Sequence, residues 1–387
     1  MIQVSKIARE IQGSTIRKMF NMASGMTDTV SFALGEPDFV TSKNIIDAAC
    51  KALQDGQTHY TPNAGILPLR QAIAKKLKTK NNVEIDPETE IMITAGGMEA
   101  LMLSMMVILD PGDEFIVTDP FWTNHPSQVL MCGAVPRFVK VYEEDGFVYN
   151  PDNVRKAINK KTKAILINSP ANPTGGVAGR EVLEEIAKIA IENDLIVITD
   201  EVYQHLIYDD AEFISIASLP GMKERTVIID SFSKSYAMTG WRIGYAAGCR
   251  EILQDMIKLH ENVVSCINTS SQYGAIEAIE GPQDYLKYMI DKYAIRRKLI
   301  VEGINSIEKL SCISPKGAFY AFPNITKTGL KSEEFAVQLL KKTGVVVVPG
   351  SGFGEAGEGF IRISYATSEE KIKEGLRRIK AFVEGLK

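Results

Sequence analysis

From about residue 90 onward, short β-branched runs alternate with amphipathic stretches, and this alternation constrains the chain more than any other feature. Residues 91–94, 114–118, 164–168, 195–199 and 226–229 read as buried strands, each a compact apolar run of strand length. The stretch 181–193 between two of them sets Leu183, Ile186, Ala187 and Ala190 on one helical face. Parallel strands cannot be joined by a tight hairpin and need a crossover, usually a helix. The pattern therefore predicts an α/β fold, a large domain with a mostly parallel sheet flanked by helices. After about residue 283 the texture changes. Residues 285–310 read as one long helix rich in Lys, Arg, Glu and Tyr, 317–322 and 360–364 as strands, and 369–386 as a final helix. This predicts a smaller α+β domain at 284–387 behind a large domain at 44–283. The segment 1–43 lacks strong strand runs and is expected to pack on the small domain and the site.

In an open parallel sheet, ligands bind beyond the carboxyl ends of the strands, so the residues following each strand are the candidates for chemistry. After 91–94 comes Ala95-Gly96-Gly97-Met98, expected to open a helix from Glu99. Free N–H groups at such a glycine turn can bind an anion, although the same turn also serves as a plain strand-to-helix connection. After 164–168 comes Ser169-Pro170-Ala171-Asn172-Pro173-Thr174-Gly175, and after 195–199 come Asp200 and Tyr203. After 226–229 comes Asp230-Ser231-Phe232-Ser233-Lys234. Four successive strand ends thus carry polar groups or a glycine turn. A lone lysine is usually a solvated surface cation. Lys234 gains weight because Asp200 follows the neighbouring strand. A carboxylate that keeps a pyridinium nitrogen protonated, beside a lysine able to form a Schiff base, is what pyridoxal phosphate chemistry requires. The plainer reading of Asp200 is a helix N-cap ahead of Glu201 and Val202.

Other classes find less support. The 44 Lys and Arg against 48 Asp and Glu give a formal charge of −4, which argues against a dedicated nucleic-acid binder. The strongly apolar stretch 100–109 is about half of the roughly 20 residues a membrane span needs. Residues 1–12 show no apolar core of a secretory leader. Cys50, Cys132, Cys249, Cys266 and Cys312 form no C-x-x-C pair, and the four His residues complete no zinc pattern, so no metal is expected and a cytoplasmic location is the simple reading. The Gly350-Ser351-Gly352-Phe353-Gly354-Glu355 run lacks the last glycine of a dinucleotide loop and lies between strands rather than before a helix. His125, close to Trp122, reads as a partly buried aromatic or a ligand.

The same residues resemble the class I/II aminotransferases of PLP fold type I, in particular their gamma subgroup of aspartate, aromatic and N-acetyl-diaminopimelate aminotransferases. The resemblance runs from about Ser14 to the C-terminus. It is carried by Leu34-Gly35-Glu36-Pro37-Asp38-Phe39, Tyr60-Thr61-Pro62-Asn63-Ala64-Gly65, Asn172-Pro173-Thr174-Gly175, Asp200-Glu201-Val202-Tyr203, Ser231-Phe232-Ser233-Lys234 through Gly240-Trp241-Arg242-Ile243-Gly244, Lys316-Gly317-Ala318-Phe319-Tyr320 and Arg362-Ile363-Ser364-Tyr365. It implies pyridoxal 5'-phosphate (PLP) as cofactor, with Lys234 as the Schiff-base lysine and later the proton-transfer base, and Asp200 as partner of the pyridinium nitrogen. It implies Asn172 and Tyr203 at the cofactor's 3-oxygen and Trp122 stacked on its ring. The Gly96-Gly97-Met98 turn, Ser231, Ser233 and Arg242 are implied at the phosphate. Arg362 is implied as the clamp on the substrate carboxylate, helped by Gly35 and Asn172. Tyr60 is implied to reach the neighbouring subunit's phosphate, hence a homodimer with shared sites.

The resemblance thus implies ping-pong transfer of an amino group between an L-amino acid and a 2-oxo acid, with aromatic amino acids or aspartate as donors. Two features depart from the pattern. His125 stands where the family often has Tyr. The segment 263–273 lacks the arginine that another subgroup uses for dicarboxylates. Ile16, Met19 and Phe20 are expected on a segment lying over the site, favouring apolar side chains. A β-lyase on the same fold and a non-catalytic PLP-binding regulator are the alternatives.

Overall fold

The computed structural model describes residues 4–11 and 13–386. Part of the stretch read for a leader, residues 1–3 and 12, lies outside the described residues, as does residue 387 of the C-terminal region. The strands are β1 (Val30–Ser31), β2 (Ile91–Thr94), β3 (Glu114–Asp119), β4 (Val135–Lys140), β5 (Thr162–Asn168), β6 (Ile196–Asp200), β7 (Thr226–Ser231), β8 (Gly244–Gly248), β9 (Tyr320–Ala321), β10 (Val345–Val346), β11 (Val348–Pro349) and β12 (Ile361–Ser364). Seven of them form one sheet in the order β2-β8-β7-β6-β5-β3-β4. All its neighbours are parallel except at β8, which runs against both β2 and β7.

The five strands expected in this sheet are present, 91–94 at its expected bounds and the other four differing by a residue or two at their ends. The two strands not foreseen have different reasons. β4 is an edge strand whose Pro136, Arg137 and Lys140 blunt the edge and break the apolar run. β8 is fully buried but reads Gly-Tyr-Ala-Ala-Gly, in which only Tyr245 favours a strand. Alternate residues of the strands enter opposite cores, with Val227 and Ile229 on one face of the sheet and Ile228 on the other.

Helices cover both faces. The helix Arg180–Glu192 buries Leu183, Ile186, Ala187, Ile189 and Ala190, the face its periodicity marked plus Ile189. Past residue 283 the long helix is Asp284–Asn305, so it stops before the expected residue 310. The strand expected at 317–322 shortens to β9, and β12 pairs with both β9 and β11. The early segment is not strandless. It holds the helices Lys6–Glu10 and Thr15–Ala23, and β1 lies parallel to β10. On the second helix Met19 is buried in the core and Phe20 points outward at 39% exposure, so of the three residues expected over the site only Ile16 lines the cavity. The Gly350–Phe353 turn lies between β11 and β12, as expected for a chain that is not using it as a dinucleotide loop.

Candidate active site

The carboxyl ends of β2, β5, β6 and β7 open into one cavity of about 230 Å³. Gly35, Gly97, Met98, Trp122, Asn172, Asp200, Tyr203, Ser231, Ser233, Lys234, Arg242 and Arg362 all line it. The cluster follows from the topology. Parallel strands point their carboxyl ends the same way, so polar residues placed just after each apolar run must converge.

One end is a set of anion donors. The helix Gly97–Ile108 starts two residues earlier than expected, so Gly97 and Met98 themselves carry free first-turn amides. Gly96 is its N-cap at φ 77°, and a Cβ there would stand 2.7 Å from Arg242 Nη2. Gly96 therefore sits behind the cavity wall and makes room for Arg242, rather than lining the cavity. Arg242 is left-handed at φ 53° and donates to the Thr239 carbonyl at 2.9 Å. Ser231 Oγ donates to Ser233 Oγ at 2.9 Å and accepts the Ser233 N–H at 3.1 Å.

In the middle stands Lys234. Its Nζ donates to the Gly35 carbonyl at 2.6 Å, a contact spanning almost two hundred residues. Burial pulls its amine down to about 8, against the attraction of Glu36 and with help from the nearby positive Arg362 and Arg242. Asp200 does not cap a helix, because turns follow it. Its Oδ2 lies 3.2 Å from His125 Nε2, with His125 only 1% exposed, and the Asn168 amide donates to its backbone carbonyl at 3.4 Å. Trp122 meets the His125 ring edge-on at 5.1 Å.

At the other end Arg362 is 1% exposed and sandwiched between Tyr320 and Phe353, at 4.7 and 4.9 Å from the ring centres. It donates to Asn172 Oδ1 at 3.1 Å and to the Ala33 carbonyl, while its Nε has no partner. Burial lowers its pKa. Tyr203 and Tyr320 share a hydroxyl bond of 2.7 Å, and burial raises both phenols, so they stay protonated. A side chain at Gly35 would collide with the Tyr320 hydroxyl, which explains glycine there.

Tyr60 is the candidate that the protomer leaves apart. It is 91% exposed and does not line this cavity. Asn168, Val202 and Tyr320 also line the cavity, beyond the residues the sequence marked for it. Asn168 has a readable signal, a polar residue closing an apolar strand.

The profile of the family "Aminotransferase class I and II" matches residues 27–379. The chain belongs to that family. This aminotransferase is 46% identical over 371 residues to an aspartate aminotransferase of Pyrococcus abyssi, covering 95% of each chain. It is 42% identical to aromatic-amino-acid aminotransferase 2 of Thermococcus litoralis, again over 95% of each. Among solved structures, an aromatic aminotransferase from Pyrococcus horikoshii superposes with a TM-score of 0.91 at 44% identity, over 95% of this chain and 98% of that one.

Proposed function

We propose that this aminotransferase holds PLP at the strand ends and moves an amino group from an aromatic L-amino acid to a 2-oxo acid. The reading rests chiefly on one observation. An anion cradle, an amine lowered to about 8 and a buried carboxylate face a single cavity. The donor set fits the cofactor. The Gly97 and Met98 amides, Ser231, Ser233 and Arg242 match its phosphate, Lys234 its aldehyde and Asp200 its ring nitrogen. Asn172 and Tyr203 suit its 3-oxygen, and Trp122 suits a ring face. Bound PLP supplies an electron-withdrawing ring that acidifies the Cα–H of an attached substrate.

The chain's own residues do the rest. Asp200, fixed by His125, keeps a proton on the ring nitrogen. The Gly35 carbonyl holds the Lys234 amine inside the cavity, where it would serve a proton transfer at the substrate. Its lowered pKa suits a group that must take and return a proton near neutral pH. Arg362 receives the substrate carboxylate, and its unpartnered Nε and preset Asn172 contact leave a fork ready for a bidentate pair.

The donor side chain meets a mainly apolar wall of Ile16, Met98, Leu101, Trp122 and Val202. The positive groups lining the protomer's cavity are Lys234, Arg242 and Arg362, and each already has a task. That favours an aromatic donor. Aspartate is the second reading, favoured by the name of the Pyrococcus abyssi relative. Tyr60, at 91% exposure, suits a homodimer in which it reaches the partner's cavity. Five free cysteines fit a reducing cytoplasm. We divide the chain into a segment 1–43, a large domain 44–283 and a small domain 284–387, with the seven-stranded sheet inside the second and β9, β11 and β12 inside the third.

A half-reaction screen tests this. Holoenzyme is mixed with single amino acids while the cofactor absorbance is followed to the pyridoxamine form. Conversion fastest with Phe or Tyr supports the reading, and conversion fastest with Asp moves it to the second. Ammonia and pyruvate from cysteine-type substrates, without conversion, would establish a lyase instead.

A further inference from the structure

Two carboxylates, Asp230 buried and Glu99 mostly buried, lie behind the anion cradle, and none of the roles above uses them. The first is Asp230, the last residue but one of β7, at 3% exposure. Its Oδ1 accepts the Ser231 N–H at 2.7 Å. Its Oδ2 accepts from Lys76 Nζ at 2.6 Å, Gln204 Nε2 at 2.8 Å and the Tyr245 hydroxyl at 2.9 Å. The second is Glu99, in the first turn of the helix Gly97–Ile108. One of its oxygens accepts the Ala95 N–H and the other meets His260 Nδ1 at 2.8 Å. His260 is fully buried.

The two carboxylates are built alike. Each takes a backbone N–H from one of the two turns that make the cradle. Each is tied to a helix beyond the sheet, Lys76 on Leu67–Lys80 and His260 on Arg250–Val263, and the two helices pack on opposite faces. For stability alone the arrangement is a poor choice. A buried ion pair is often no better than apolar residues of the same volume. A carboxylate near a phosphate also repels it unless neutralised. What a carboxylate provides and an apolar side chain cannot is a fixed direction for the backbone amide beside it. Donors held in place before the anion arrives need no reorganisation to bind it.

We propose that Asp230 and Glu99 are positioning residues that pre-organise the anion cradle, an inference that rests on the cofactor reading above. Apoenzyme of the wild type, Lys76→Met/Asp230→Leu, Lys76→Met/Asp230→Asn, Glu99→Leu and Glu99→Gln is titrated with PLP and, separately, with pyridoxal, which lacks the phosphate. The apolar exchange matches the volume of the ion pair, so the fold should persist. Asn and Gln keep a carbonyl oxygen that can accept the backbone N–H. The leucine variants should bind PLP about tenfold more weakly or worse, with pyridoxal affinity changed by less than about twofold, and Asn or Gln should recover most of the loss. Equal loss for both ligands, or no loss for PLP, overturns the proposal. If the Lys76/Asp230 variants do not fold, the Glu99 pair decides it by the same criteria. Wild-type apoenzyme that binds neither ligand would instead overturn the cofactor reading, and the proposal with it.

Discussion

The two ends of the cavity carry the same sign of charge and are built in opposite ways. The cradle end is assembled from turns directly following β2 and β7, and its arginine, Arg242, remains exposed in the protomer. Its charge is spread over amides, hydroxyls and one guanidinium. The other end rests on Arg362 alone, buried between two rings and held by residues 190 and 329 positions away. Distributed donors lose affinity gradually when one is removed. A single desolvated guanidinium loses nearly all of it at once.

Four outcomes would break or sharpen that contrast. Lys234→Ala, between the two ends, should abolish turnover and the absorbance of the lysine-bound cofactor, and persistence of both in a purified variant would sink the assignment. Arg362→Leu should lower kcat/KM by about a hundredfold, roughly 3 kcal/mol, while the Kd for PLP stays within about twofold. An unchanged kcat/KM would refute the clamp. Arg242→Ala should show the reverse split, raising the Kd for PLP about tenfold with little change in the amino-acid KM at saturating cofactor. A loss as complete as that of Arg362→Leu would show that the cradle is not distributed after all.

The smallest effect concerns the buried frame behind the cradle. Burial raises the Glu201 carboxyl from 4.5 to about 8, with Asp230 adding to the shift. Between those values the folded chain keeps a proton that the unfolded chain releases, so this group makes stability fall as pH rises across that window. Glu201→Gln removes the effect. The Tm of the variant should therefore gain on the wild type from pH 5 to pH 8, by about a few degrees. Parallel Tm curves would contradict the shift.

The same contrast explains what is legible in the sequence. At the cradle end and in the middle of the cavity, Gly97, Asp200, Ser231 and Lys234 follow apolar runs closely and so stand out from the residue order alone. The clamp end has no such local signature. Arg362, Gly35 and Trp122 are legible only through the family resemblance, and nothing in their neighbourhoods announces contacts spanning hundreds of residues. Strand β8 is hidden because four of its five residues are Gly or Ala, which make no apolar run. Lys76 lies 154 residues from Asp230 in the sequence, and only the fold brings the two together. His125 stands out as a departure from the family pattern, but its 3.2 Å contact with Asp200 depends on how the helix Asn124–Met131 packs.

The pairing of β1 with β10 bears on the order in which the enzyme is made. Val30 meets Val345, so more than three hundred residues must leave the ribosome before the first strand finds its neighbour. Ala33 and Gly35, which fasten Arg362 and Lys234, follow that strand within a few residues. The large sheet can form on the growing chain, but the strand that leads into the carbonyl partners of Arg362 and Lys234 waits for β10 before it is paired.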